Sequence, residues 1–320
     1  MKVDVGHPDN FCGGNFSDWL EVNLTPACNA KCSWCVENAG WHPKKHATWQ
    51  EICEEIIRND RKNVILLGGE PSLHPHLKEI VRYLNNHQFN VYITTNGSRL
   101  YGILSHMEEF AGINVSIHHY DLEKNREITG LELQQYYLHD AITNLHQTET
   151  QVRFNCNLIK NYINSKEEIL RYIDWAKQMG ADSVRFAELK NDDDSFVDLA
   201  KILDYEHGLN DDPFNCGCNK NCVIDGMPVN FRQMCGMQTN LRPRPWNPRR
   251  IYKPVVYYDG KTYDGWQLKK EPDMNNENIL RILRNVANGD LTPEEASELI
   301  EKEAKKDKSP VVEESSHCRY

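Results

Sequence analysis

The chain has 320 residues, long enough for one large domain with an appendage. Its hydrophobic content of 39% and charged content of 26% are those of a soluble globular protein. A formal net charge of −10 argues against a broad nucleic-acid surface, no apolar run reaches membrane-spanning length, and the N-terminus lacks a signal-peptide core. A cytoplasmic protein is expected. There its eleven cysteines are metal ligands or buried thiols rather than disulfides.

After a polar lead-in (1–17), Trp19–Leu24 reads as a strand that Thr25-Pro26 ends. Thr48-Trp49-Gln50-Glu51 opens a helix with a capping box. The run from Asn63 to Leu67 is a buried strand, and helix 75–87 follows. Strand 91–95, helix 99–110, strand 113–118, helix 131–146, strand 152–159, helix 165–179 ending at Gly180, and strand 183–189 complete six strands alternating with helices. Such alternation predicts parallel βα units, too few for a closed eight-fold barrel. Beyond an acidic linker (191–213), residues 214–270 read as a Cys-rich unit. It carries a strand over Val229–Arg232 and a hairpin around Asp259-Gly260. Residues 271–308 read as a helical tail, with a capping box at Thr292–Glu295, and 309–320 as disordered.

The stretch that organises the rest is Cys28-Asn29-Ala30-Lys31-Cys32-Ser33-Trp34-Cys35. Its three cysteines sit on the loop after the first strand, the end of a strand where α/β folds place chemistry. A structural zinc site takes four ligands, and a four-iron cluster usually takes four thiolates. Three from one loop either leave an iron open to a ligand or await a distant fourth residue. The second strand ends in Gly68-Gly69-Glu70-Pro71, where two glycines permit close approach of a ligand to the backbone. Thr94–Gly97, Ser116–His119 and Glu188 fall on the same rim.

The CxxxCxxC spacing, Trp34 before its last cysteine and the Gly68–Pro71 loop resemble the radical S-adenosylmethionine (radical SAM) superfamily. The strings ITTNGSRL at 93–100, Val115-Ser116-Ile117, Glu127-Ile128-Thr129-Gly130 and Val184–Leu189 resemble the branch that contains the molybdopterin GTP 3′,8-cyclase and related maturases. The resemblance covers roughly 18–190 and implies a partial (βα)6 barrel. It implies a 4Fe-4S cluster on Cys28, Cys32 and Cys35. It also implies S-adenosylmethionine held by Gly68, Gly69, Glu70, Pro71, Thr95, Asn96, Ser116, Asn157, Lys160 and Glu188, with Glu70 on the ammonium group. The activity implied is reductive cleavage of S-adenosylmethionine to a 5′-deoxyadenosyl radical that abstracts hydrogen from a substrate. The reductant would be a carrier such as flavodoxin or ferredoxin. His118, His119 and Tyr120 depart from the family's usual sequence and are expected to face substrate or to cap the barrel as packed rings.

A second group, Cys216, Cys218, Cys222 and Cys235, reads as an auxiliary four-iron cluster or a zinc site, like the small "twitch" extensions of related enzymes. The cyclase's own C-terminal cluster spacing and Gly-Gly ending are not found here, which argues against GTP. A small molecule or nucleotide is expected ahead of a peptide. The C-terminal helices suit oligomer or partner contacts. The competing expectation is a zinc-stabilised, non-catalytic scaffold on the same barrel.

Overall fold

The computed structural model describes 19–35, 37, 41–104, 110–148, 150–189, 194–203, 219–233, 254–263, 265–266, 282, 285, 291–292 and 294–299. The expected lead-in, residues 105–109 of the expected helix 99–110, residues 191–193 and 204–213 of the linker, most of the helical tail and the last twelve residues lie outside them. Two compact units divide the chain, Met1–Gln267 and Leu268–Tyr320.

In the first unit, β1 (Trp19–Asn23) leads through the cysteine loop to α1 (Trp49–Arg58). Thr48 caps α1, accepting the Glu51 N–H while Glu51 accepts the Thr48 N–H, as the sequence predicts. Next come β2 (Asn63–Leu67), a 3-10 turn (Pro71–Leu73), α2 (Leu77–Asn86), β3 (Asn90–Thr95) and α3 (Leu100–Leu104). β4 (Gly112–Ser116) is followed by two helices rather than one, α4 (Leu122–Thr129) and α5 (Gln135–His146). Asp121 caps the start of α4, and Gly130, at φ 73°, ends it in the left-handed region. Then come β5 (Gln151–Asn157), α6 (Lys166–Gln178), β6 (Ser183–Ala187) and α7 (Leu199–Ile202).

Strands β1 to β6 are parallel neighbours in chain order. The expected separate unit over 214–270 is not what its described strands build. β7 (Asn219–Ile224) and β8 (Met227–Arg232) form a hairpin that joins the sheet through β8 against β6. β9 (Val255–Tyr257) and β10 (Lys261–Tyr263) form another, joined through β9 against β1. The sheet is open, in the order β10-β9-β1-β2-β3-β4-β5-β6-β8-β7. Pairing wins over separation because β8 repeats the alternation of β6. Val229 and Phe231 stand beside Val184 and Phe186, and Asn230 stands beside Arg185. The linker's α7 likewise buries Leu199 and Ala200.

Alternation gives the sheet two unlike faces. Leu20, Val22, Val64, Leu66, Val91, Ile93, Ile113, Val115, Val152, Phe154, Val184, Phe186, Val229 and Phe231 share one core with the buried stripes of the helices. The other phase carries Thr94, Asn114 and Arg153 in one row and Ser116, Asn155, Arg185 and Asn230 in the next. Asn157, Ala187 and Arg232 form the row beyond. This polar face is the inside of the open barrel.

In the second unit, Thr292 and Glu295 make the expected reciprocal capping box (2.9 and 3.2 Å). No described helix is long and apolar enough to cross a membrane.

Candidate active site

The cysteine loop is held from three sides at the C-terminal ends of the strands. The Gly68-Gly69-Glu70 turn docks directly on its lead-in. The Gly69 N–H donates to Thr25 O and the Glu70 N–H to Ala27 O, both at 2.7 Å. A Cβ on Gly69 would lie 2.3 Å from Ala27 O, and one on Gly68 would lie 2.5 Å from Thr25 O. The glycines therefore permit close approach of backbone to backbone, where the sequence suggested backbone to ligand.

Glu70 is fully buried. Its carboxylate accepts the Ser72 N–H at 3.0 Å, the Thr95 hydroxyl at 2.7 Å and the Asn96 N–H at 2.7 Å. These charge-assisted bonds join the β2 and β3 exit loops. Without ligand, both Glu70 and Thr95 fasten one loop to the next. The Asn96 amide continues the chain of contacts to Asn29 Oδ1 (2.8 Å), and Asn29 Nδ2 donates to Ser98 Oγ (2.9 Å). On the far side, the Lys31 N–H donates to Thr129 O (2.7 Å), beside the αL Gly130.

Trp34 packs with Ile128, Ile159, Leu189 and Tyr162, and meets the His118 ring edge-on at 5.4 Å. His118 is buried, and burial holds its ring down to about 4. Its Nδ1 accepts the Asn157 N–H (3.1 Å), and its own N–H reaches Asn125 Oδ1 (2.8 Å). His119 Nδ1 accepts the Asp121 N–H (2.9 Å), and its ring lies against Tyr120. Tyr120 donates to Glu168 (2.8 Å). The His119 Nε2 atom is buried with no hydrogen-bond partner.

Glu188 is buried and accepts the N–H (3.1 Å) of Leu199, the first residue of α7, whose cap is Asp198. Lys160 is exposed. Ser116 and Asn157 lie on the polar inner face.

Cys28 is exposed, while Cys32 and Cys35 are half-buried. The Cys32 thiol is pushed up to about 12 by burial and then by the neighbouring Cys35 and Cys28. Three cysteine side chains on one loop suit an iron–sulfur core, whose iron takes each as a thiolate. Among the described residues no three Cys, His, Asp or Glu converge on a single ion. A four-iron cluster offers each thiolate its own iron, so the donor set fits it without such convergence.

Of the second group only Cys222 is described. It lies on β7, half-buried against the main core, with its thiol raised by that burial. Cys216, Cys218 and Cys235 lie outside the described residues.

The family profile of the radical SAM superfamily matches residues 22–148. Residues 22–148 are therefore similar to the radical SAM domain. The SHOCT-like domain profile matches 277–308, the helical tail. The chain is 27% identical to the GTP 3′,8-cyclase of Aquifex aeolicus over 256 residues, 76% of this chain and 72% of that one. A protein of Saccharolobus islandicus named probable GTP 3′,8-cyclase is 29% identical over 196 residues, 59% of this chain and 60% of its own. One from Pyrococcus horikoshii is 32% identical over 121 residues, so the chain spans 38% of that relative's length. Streptococcus suis SuiB bound to S-adenosylmethionine superposes with TM-score 0.46 at 19% identity, over 56% of this chain and 42% of that one. Methylornithine synthase (PylB) gives 0.42 at 16%, over 52% of each.

The inner polar rows were absent from the sequence reading. Their signal is the period-2 polar phase of Val152-Arg153-Phe154-Asn155-Cys156-Asn157 and Val229-Asn230-Phe231-Arg232. Asn29 and Asn125 were also missed, because their roles depend on contacts distant in sequence.

Proposed function

We propose that this enzyme cleaves S-adenosylmethionine reductively and acts on a small anionic substrate, nucleotide-like rather than peptide, held inside the open barrel. The observation that carries the substrate class is the inner face. Arg153, Arg185 and Arg232 stand on adjacent strands in neighbouring rows. Around them Asn114, Asn155 and Asn230 present buried Oδ1 atoms with no hydrogen-bond partner. Buried polar atoms are ordinarily satisfied, so such a group implies water or a polar ligand. Arginine forks suit phosphate and carboxylate groups.

Cys28, Cys32 and Cys35 would hold the cluster, which when bound supplies the electron that breaks the C5′–S bond. The protein's part is orientation. The Glu70, Asn96 and Lys31 contacts fix the cysteine loop, and Trp34 with the His118 cap closes it against the strand ends. Ser116 and Asn157, on the inner face, are cofactor contacts we propose, together with Gly68, Gly69, Glu70, Pro71, Thr95, Asn96, Lys160 and Glu188. We also propose the auxiliary cluster, or zinc, at Cys216, Cys218, Cys222 and Cys235, and an electron carrier as partner.

The test is anaerobic. Reconstituted protein is reduced with dithionite, and 5′-deoxyadenosine is followed with nucleotides, other anionic metabolites and peptides. Stimulation by an anionic small molecule, lost in Arg185→Ala, is expected. Stimulation by peptides alone would overturn the substrate class. Zinc without iron, and no deoxyadenosine, would leave the scaffold reading.

A further inference from the structure

The contacts of Thr25, Ala27, Asn29 and Lys31 hold the incoming arm of the cysteine loop. Its return, from Cys35 to the start of α1, is held by a separate set of side chains. Asn23 ends β1, and Glu37 stands two residues beyond Cys35. Asn23 Nδ2 donates to Glu37 Oε1 at 3.0 Å, with both residues buried. One bond between residues fourteen apart thus closes the base of the loop that carries all three cysteines. Asn23 also abuts the glycine turn, since a Cβ on Gly68 would lie 2.9 Å from its Oδ1.

A second clasp reaches this arm from the end of the unit. His42 Nε2 donates to Glu37 O at 2.7 Å, which leaves Nδ1 as the ring's acceptor. That Nδ1 lies 3.4 Å from the Tyr258 hydroxyl and 3.7 Å from Glu37 Oε2. Tyr258 also donates to Pro43 O (3.3 Å), accepts the Ala47 N–H at its carbonyl (2.8 Å) and stacks on the His46 ring at 4.8 Å. It directly follows Tyr257, the β9 residue that pairs with Asn23. Both clasps therefore spring from one edge of the sheet. A buried carboxylate is costly unless its oxygens are engaged, and the partners that engage this one, Asn23 and His42, are residues that shape the loop.

We propose that Glu37 is the positioning residue for Cys35: with Asn23 and Tyr258 it sets where the third thiol stands relative to Cys28 and Cys32 before any iron arrives. The inference rests on the radical SAM reading and deepens it, because it gives residues outside the cysteine motif, and the β9 edge, a role toward the cluster. Three thiols on one loop bind a cluster tightly when the two arms of that loop are already held together. A loop free at its base must bear the closure entropy when metal binds, whereas a base closed by Asn23 and Glu37 has met that cost on folding. Residues that support ligands in this way alter how firmly a metal is held without touching it.

The experiment uses reconstituted full-length protein. Iron release to the chelator bathophenanthroline is timed anaerobically, well below the melting temperature. The iron of this site is the part that wild type holds beyond Cys28→Ala. The variants are Glu37→Ala, Glu37→Gln, which keeps an amide oxygen for Asn23, and Tyr258→Phe, which keeps the ring without the hydroxyl. Glu37→Ala is expected to release that iron about tenfold faster or more, Tyr258→Phe about threefold faster, and Glu37→Gln within about twofold of wild type. The electron paramagnetic resonance spectrum of the dithionite-reduced cluster should change in Glu37→Ala and return in Glu37→Gln. Urea unfolding of the metal-free variants separates positioning from packing: a lowered midpoint in Glu37→Ala with wild-type iron release and spectrum would overturn the proposal. Equal losses in Glu37→Gln and Glu37→Ala would overturn it too, because charge rather than the Asn23 bond would then matter. Should Glu37→Ala fail to fold, Tyr258→Phe carries the test, and wild-type release there would overturn the proposal. Wild type that takes up no iron through Cys28 would remove the radical reading and this proposal together.

Discussion

Gly69→Ala separates two roles for the glycine turn. The added Cβ would meet Ala27 O at 2.3 Å, Ala27 C at 2.7 Å and Pro26 O at 2.8 Å, all backbone atoms with no rotamer by which to yield. The turn must lift off the cysteine loop, losing the Gly69–Thr25 and Glu70–Ala27 hydrogen bonds. Each contributes about 1 kcal/mol net, and more where a donor is left buried and unpaired, so the loss is about 2–4 kcal/mol. Gly69 has no positive φ, so backbone strain adds nothing. Urea unfolding of the metal-free protein measures this directly, and iron retention after desalting reports the displaced loop. If the glycine only makes room for a ligand, the metal-free variant will unfold like wild type and S-adenosylmethionine binding alone will weaken. That result would refute the docking argument.

Glu70→Gln puts an amide N–H₂ group or a neutral oxygen where the Asn96 N–H and the Thr95 hydroxyl both donate. A stability loss of about 1–3 kcal/mol without ligand is expected by chemical denaturation, and an unchanged midpoint would contradict it. Asn96→Ala removes the amide that holds Asn29, and iron should leave the protein faster while the melting temperature moves by only a few degrees. Stability should also fall with acid. Above about pH 6.5 His118 is neutral folded or unfolded. Between there and about 4 the unfolded chain takes up a proton that the buried ring refuses, at about 2 kcal/mol between about pH 7 and pH 5. Urea midpoints at the two pH values should differ less in His118→Gln. Metal analysis of reconstituted protein should give about eight irons per chain, falling by about four in Cys28→Ala; about four irons with one zinc would reassign the second cysteine group.

What sequence reveals here is local. The capping box at Thr48 and the glycine cap at 180 are each written within a few residues, and each is found as read. The bonds that Glu70 makes were not legible, since two of the donors to its carboxylate come from about twenty-five residues on. The burial of His118 and His119 and their backbone donors were not legible, since they depend on how the β4 exit loop packs. The 214–270 segment was misjudged because its cysteines suggested a unit of its own. Its strands carry the barrel's alternation, and unpaired edges at β1 and β6 are where such strands find partners.

The hairpin at β1 ties the beginning of the unit to its end. β1 closes at Asn23, and its outer neighbour β9 begins only at Val255. Trp266 then reaches back to Glu21. During synthesis every other parallel pair in β1 to β6 forms with a neighbour close behind it, while this edge waits for nearly the whole unit to emerge. Pairs so distant in sequence form late and slow folding, and an open edge is meanwhile a template for mispairing. A chain cut short before Val255 would keep all three cysteines and the glycine turn, yet leave the strand that leads into them uncovered on one side.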